Sequence, residues 1–192
     1  MNGRKSTRET KELTKLEQAR IHYLFLCLFS EGSKFLIMYI IFHALHMTGE
    51  YLITLIVLLS VRNFSGGIHL KHYTSCLAFT FTFVFSIILV SRTLVLTPVT
   101  ESLILLAAAL ILLFTGPVTS TSRPDLSPEQ NKVFRRTGAV IILIYAALLF
   151  CMRTLTCHDL IFWVIVFQIL QLIAAKMIKE RREHHEKLYE EA

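Results

Sequence analysis

The stretch SLILLAAALILLFTGPV, Ser102–Val118, runs for 17 residues without a charged side chain. As a helix it would be about 26 Å long, near the roughly 30 Å hydrocarbon thickness of a bilayer. Three more runs come close to the same length: Tyr73–Leu96, interrupted only by Arg92 near its end, Thr137–Met152 and Leu160–Met177. Upstream lie two shorter apolar segments, Phe35–Gly49 and Tyr51–Val61, with Glu50 between them at a water-exposed turn. They read as a tight helical hairpin that either crosses with local thinning of the bilayer or enters it part-way. Such mismatch costs only fractions of a kcal/mol per Å. Ile21–Ser30 precedes the hairpin and reads as an interfacial segment.

Composition supports the same class. Of the 192 residues, 54% are hydrophobic and only 18% are charged, and mean hydropathy is +0.56. Soluble domains carry about 25% charged residues. The expected fold is therefore an all-α integral membrane protein, a bundle of about six segments whose first two are short. The polar N-terminus MNGRKSTRETKELTKLEQAR is too long for a signal-peptide n-region, and no small-residue cleavage site follows. The first membrane segment is thus expected to stay attached.

The net charge of +6 and pI near 9.3 raise nucleic acid as a partner, but placement argues against it. Basic residues sit in the tails and in the loops between apolar runs, where they suit anionic lipid, and no basic motif with interleaved aromatics occurs. With six crossings and both ends on one side, 17 of the 20 Lys and Arg residues fall on that side. Arg92 and Arg153 fall opposite, and Lys34 lies at a boundary. The positive-inside rule makes the rich side cytoplasmic. The chain then reads as one polytopic domain over residues 1–192. Its cytoplasmic parts are tails at 1–20 and 179–192, a loop and helix start at 62–76, and a loop at 116–136. Pro117, Pro124 and Pro128 mark that last loop as non-helical. The terminal KERREHHEKLYEEA reads as a helical extension leaving the membrane.

Chemistry concentrates in Arg62-Asn63-Phe64-Ser65-Gly66-Gly67-Ile68-His69-Leu70-Lys71-His72-Tyr73-Thr74-Ser75-Cys76. Polar groups are costly at a membrane boundary, so a cluster of Arg, Gly, His and Cys there invites a functional reading. A cysteine thiolate is a nucleophile, and a neighbouring imidazole can take its proton and later protonate a leaving amine. Gly66 and Gly67 allow backbone N–H groups to approach a substrate carbonyl, a candidate oxyanion site. Arg62 could hold a substrate carboxylate or satisfy helix-end carbonyls. The base is open on spacing. His72 and Cys76 are four apart and neighbours on a helix. His69 and Cys76 are seven apart, about 10 Å along a helix axis, so His69 serves only if the chain folds back as a loop.

The other cysteines, Cys27, Cys151 and Cys157, lie in or beside apolar runs and read as small buried hydrophobes, with no CxxC pair for zinc or redox work. The remaining histidines are scattered or terminal, and His43 and His46 lack a partner that would complete a metal set. No metal or other cofactor is expected.

The pattern Arg62, Gly67, His69 and Cys76, with a double glycine before the histidine, resembles the AgrB (accessory gene regulator protein B) membrane peptidases of Gram-positive bacteria. The 116–136 loop, with its Arg123-Pro124 dipeptide, resembles that family's proline-containing loop, although Gly116 stands where alanine is commoner. The resemblance is specific over about fifteen residues and, more weakly, over that loop. It implies Cys76 as nucleophile and His69 as base of a cysteine endopeptidase, with Arg62 and Gly67 in the motif. The implied substrate is an AgrD-type propeptide, cut through a thioester acyl-enzyme that an internal Cys or Ser then opens to a cyclic thiolactone or lactone for quorum sensing. Arg62, Lys71, Arg123, Lys132, Arg135 and Arg136 are candidates to attract the acidic segment such propeptides carry. The resemblance also implies a homodimer in a bacterial cell membrane, with the active site facing the cytoplasm. A small peptide exporter is the competing class, since broken segments near Gly and Glu are a transporter feature. It lacks support from any inverted repeat. A non-catalytic scaffold is the third reading, disfavoured by the intact Cys76 and His69.

Overall fold

A computed structural model describes residues 32–67, 72–118 and 127–190, and among them every regular element is a helix. The helices are α1 (Gly32–Ala44), α2 (Thr48–Ser65), α3 (Tyr73–Thr93), α4 (Pro98–Thr115), α5 (Pro128–Cys151) and α6 (His158–Glu190). The chain divides into two units, residues 1–47 and 48–192. In the first, α1 is apolar but too short to cross a bilayer alone. It stops on His46, a non-glycine residue at φ 57°, with Met47 N–H donating to Phe42 O at 2.9 Å and His46 N–H to His43 O at 3.1 Å. These paired bonds satisfy carbonyls that a helix end leaves open.

In the second unit, α3, α4, α5 and the first 25 residues of α6 are each long and apolar enough to span a membrane. The protein is a multi-pass membrane protein. Its exterior agrees: Phe114 is 75% exposed and Leu103 61%, and similar side chains line the outer faces of α2, α5 and α6. Lipid tails, unlike water, leave such surface without penalty. The hub is α6, half of whose spanning stretch is buried against under a third for α3, α4 and α5. It touches α2, α3 and α4, and its Phe162, Ile165 and Leu172 are fully buried. Phe83 of α3 meets Phe167 of α6 edge-on at 5.9 Å.

Local sequence sets the ends. α4 opens with Pro98 at its first turn and closes on Gly116 at φ 73°. α5 opens with Ser127 and Gln130 in a reciprocal capping box and Pro128 just inside. Here the structure corrects the expectation that the loop is non-helical through residue 136. Proline lacks an N–H, but the first turn of a helix needs none, so Pro128 begins α5 instead of preceding it. Likewise, Arg62–Ser65 form the last turn of α2 and are not loop. Cys151 is exposed and Cys157 half-buried, against the expectation of burial, because both sit at the α5–α6 turn. Cys27 lies outside the described residues.

Helix directions follow from the contacts. Ser65 of α2, Val118 after α4 and Arg135 of α5 meet at one end, where Gln168 reaches Ser65 from the middle of the spanning part of α6. At the opposite end Arg92 pairs with Glu50, Trp163 Nε1 donates to Leu94 O at 3.0 Å, and His158 faces Glu101. Gly138 lets α5 come close to its neighbours: a Cβ there would lie 2.7 Å from Leu112 Cδ2 and 3.1 Å from Phe64 Cβ. Small residues serve such close approach in membranes.

Candidate active site

The end shared by Ser65 and Val118 is where the motif residues lie. Cys76 occupies the first turn of α3, and its N–H donates to His72 O at 3.0 Å. Its neighbours Tyr73, Thr74 and Ser75 are exposed, whereas Cys76 is 7% exposed and faces inward. Thr80 Oγ1 donates to the Cys76 carbonyl at 2.8 Å, which ties down the first turn. Helix N-termini carry partial positive charge, so an anion near Cys76 is favoured by the backbone itself.

His72 is the helix cap. Its backbone is extended (φ −93°, ψ 134°), its side chain makes no capping bond, and it is exposed. The unbroken helix that would have made His72 the natural partner of Cys76 therefore does not extend upstream of Tyr73. His69 lies outside the described residues, as does Arg123.

Gly66 and Gly67 sit just past α2. Gly66 has φ 76°, a left-handed conformation that costs an ordinary L-residue roughly 1–2 kcal/mol. A Cβ on Gly66 would run into the Val118 carbonyl, because the two residues form an isolated parallel bridge. Val118 N–H donates to Ser65 O at 3.1 Å. From α6, fully buried Gln168 donates through Nε2 to Ser65 Oγ at 2.8 Å and to Gly66 O at 2.9 Å. The carbonyl can only accept, which fixes the orientation of the amide. Gly67 is buried, and a Cβ there would stand 3.3 Å from Arg62 Nε. The Arg62 guanidinium thus packs against the backbone of the second glycine, which joins two motif residues in space.

Among the basic candidates, Arg135 donates to Asn131 Oδ1 at 3.1 Å and to Phe114 O at 3.3 Å, and it packs against Gly116. It closes the C-terminus of α4. Lys132 and Arg136 are exposed on the first turns of α5. Sequence reasoning passed over the α6 side. A concavity of 230 Å³ at this end is lined by Thr115, Pro117, Val118, Lys176, Lys179 and Glu180. Lys176 and Glu180 pair at 3.9 Å. Gln168 was also missed, although an amide in an apolar membrane run is itself a signal, since it needs a partner there.

At the opposite end, His158 Nε2 lies 3.5 Å from Glu101 Oε2 and its Nδ1 3.3 Å from Asp159 Oδ1, and ligand atoms of the three fall within 4.8 Å. The N-termini of α4 and α6 converge on this group.

Comparison with known proteins identifies the family. The model of the family "Accessory gene regulator B" matches residues 4–172. A relative in Clostridium beijerinckii named as AgrB-like is 28% identical over 166 residues, covering 84% of this chain and 79% of the relative. No solved structure matches the chain. With most of its length matched by the family model, the chain belongs to the accessory gene regulator B family.

Proposed function

We propose that this protein is a membrane cysteine endopeptidase that processes an AgrD-type autoinducing propeptide, with Cys76 as nucleophile and His69 as base. Membership of the family carries its involvement in agr quorum-sensing propeptide processing. The observation that supports the finer reading is the inward-facing Cys76 in the first turn of α3, directly after a loop hinged at Gly66 and Gly67. α3 starts at Tyr73, three residues before Cys76.

The chemistry runs as acyl transfer. His69 takes the thiol proton and the Cys76 thiolate attacks the scissile carbonyl carbon. Gly66 N–H is committed to Arg62 O at 2.9 Å, so of the two glycines Gly67 is left to offer the resulting oxyanion an N–H donor, beside the dipole of α3. The C–N bond then breaks and the imidazolium protonates the leaving amine. A thiol or hydroxyl within the propeptide attacks the thioester carbonyl, closes a thiolactone or lactone, and releases Cys76. The thioester keeps the acyl group activated, so closure needs no ATP, and water must be kept out for cyclisation to outrun hydrolysis. Cys76 sits where the bundle restricts water. The loop end faces the cytoplasm, as the basic bias requires. Arg62 supports the loop through Gly67. Arg123 and Lys132, with Lys176 and Lys179 at the concavity, attract the acidic segment, and the protein works as a homodimer.

The test is co-expression with an AgrD-type propeptide and mass analysis of the C-terminal fragment. Cys76→Ala and His69→Ala are expected to abolish cleavage, and His72→Ala to retain it. Full cleavage by Cys76→Ala at equal protein level would sink the mechanism and favour a transporter or scaffold role.

A further inference from the structure

The geometry points to Gln168 as a positioning residue for the Gly66 hinge, which precedes His69 and Cys76 in the chain, an inference that rests on the peptidase reading above. Gln168 lies in the middle of the long apolar helix α6, where a neutral amide is costly unless bonded. It is fully buried, and its Nε2 is committed to Ser65 Oγ at 2.8 Å and Gly66 O at 2.9 Å. Its Oε1 has no partner among the described residues. Packing alone would place an apolar side chain there and avoid that orphan acceptor. The amide is retained at a cost in stability, and what it holds is the carbonyl of the left-handed hinge glycine.

That carbonyl lies at the point where the chain leaves α2 for the segment carrying His69 and then Cys76. Gly66 can rotate about its backbone more freely than any other residue type. Two contacts remove that freedom: Val118 on one side through the bridge, and Gln168 from α6. Val118 follows a helix end and belongs to a loop, whereas Gln168 projects from the most buried helix of the bundle. Gly66 therefore takes its position from α6. Catalytic geometry tolerates errors of only about half an ångström, so a free hinge lowers turnover without a matching loss in substrate binding.

The experiment compares full-length wild type, Cys76→Ala, Ser65→Ala and Gln168→Met in membranes with the propeptide. Cleavage rate, half-saturating propeptide concentration and thermal midpoint are read together. Methionine matches glutamine in length and removes both hydrogen bonds and the orphan oxygen. Gln168→Met is expected to lower the maximal cleavage rate about tenfold or more. Half-saturation should stay within about twofold of wild type and the midpoint should not fall. Ser65→Ala keeps the bond to Gly66 O and should lose less than about threefold. Wild-type cleavage by Gln168→Met overturns the positioning role, and so does a rate loss matched by a lower midpoint. Failure of Gln168→Met to accumulate also overturns it, because an amide needed for folding is structural. Cleavage that survives Cys76→Ala refutes the peptidase reading itself. Cleavage lost in Cys76→Ala but intact in Gln168→Met refutes the positioning role alone.

Discussion

At the loop end of the second unit the ties between helices are neutral and aimed at backbone. Gln168 donates to Gly66 O, Val118 N–H to Ser65 O, and Arg135, the one charged group, to Phe114 O. At the opposite end ionisable side chains face one another, Arg92 with Glu50, both substantially exposed, and His158 with Glu101 and Asp159, beside a neutral bond from Trp163 Nε1 to Leu94 O. A bond to backbone fixes where the chain runs, and a buried one does so without competition from water. An exposed ion pair joins two long side chains that can each find water instead, and contributes about 0–1 kcal/mol. One end holds its chain in register, and the other simply closes the bundle.

This contrast can be broken most easily at Gly66. Gly66→Ala adds the cost of a positive φ to a collision with the Val118 carbonyl. Propeptide cleavage in membranes should fall by more than about a hundredfold, as roughly 3 kcal/mol of misplacement implies. Near-wild-type cleavage would mean that the bridge is irrelevant to the site. Gly116→Ala shares the positive φ, but the obstacle is the Arg135 side chain, which can swing away. We expect a loss of about 1–2 kcal/mol in stability, read as a lower thermal midpoint, and a smaller drop in cleavage. A larger effect on cleavage than Gly66→Ala would reverse the ranking of the two hinges.

Gln171 sharpens the comparison from within α6. It is 5% exposed and neither amide atom has a partner among the described residues. Gln171→Leu should raise stability by about 1 kcal/mol and leave turnover unchanged. If turnover fell as in Gln168→Met, the special standing of Gln168 would be lost. The smallest effect is expected at the far end: Arg92→Gln should change stability by less than about 0.5 kcal/mol and cleavage not at all. A midpoint shift of several degrees would show that the charged end also carries the fold.

The bundle was legible because runs such as Ser102–Val118 admit no other reading. The misread ends have specific causes. Pro128 was weighed as a helix breaker while Ser127 and Gln130, three apart, already spelled a capping box around it. Glu101 drew the start of α4 inward to Ser102, although Pro98 after Thr97 marks the true first turn. Arg62–Ser65 looked like loop because polarity was taken as an end signal, and α2 carries it one turn further. In the proposed site, Cys76, Arg62, Gly66 and Gly67 are readable from local sequence. Gln168 is not, because its partner Gly66 is 102 residues away and only the folded bundle brings them together.

That separation also has a consequence for how the protein is made. Translation proceeds at about 5–20 residues per second, so Gln168 is joined to the chain some 5–20 s after Gly66. During that interval Cys76 is already synthesised and its helix can enter the membrane, but the loop before it lacks its tether to α6. On the proposed mechanism, the nascent chain carries Cys76 well before the contact between Gln168 and Gly66 can form. If Gln168 positions the hinge as proposed, cleavage would begin only once α6 has been made and packed.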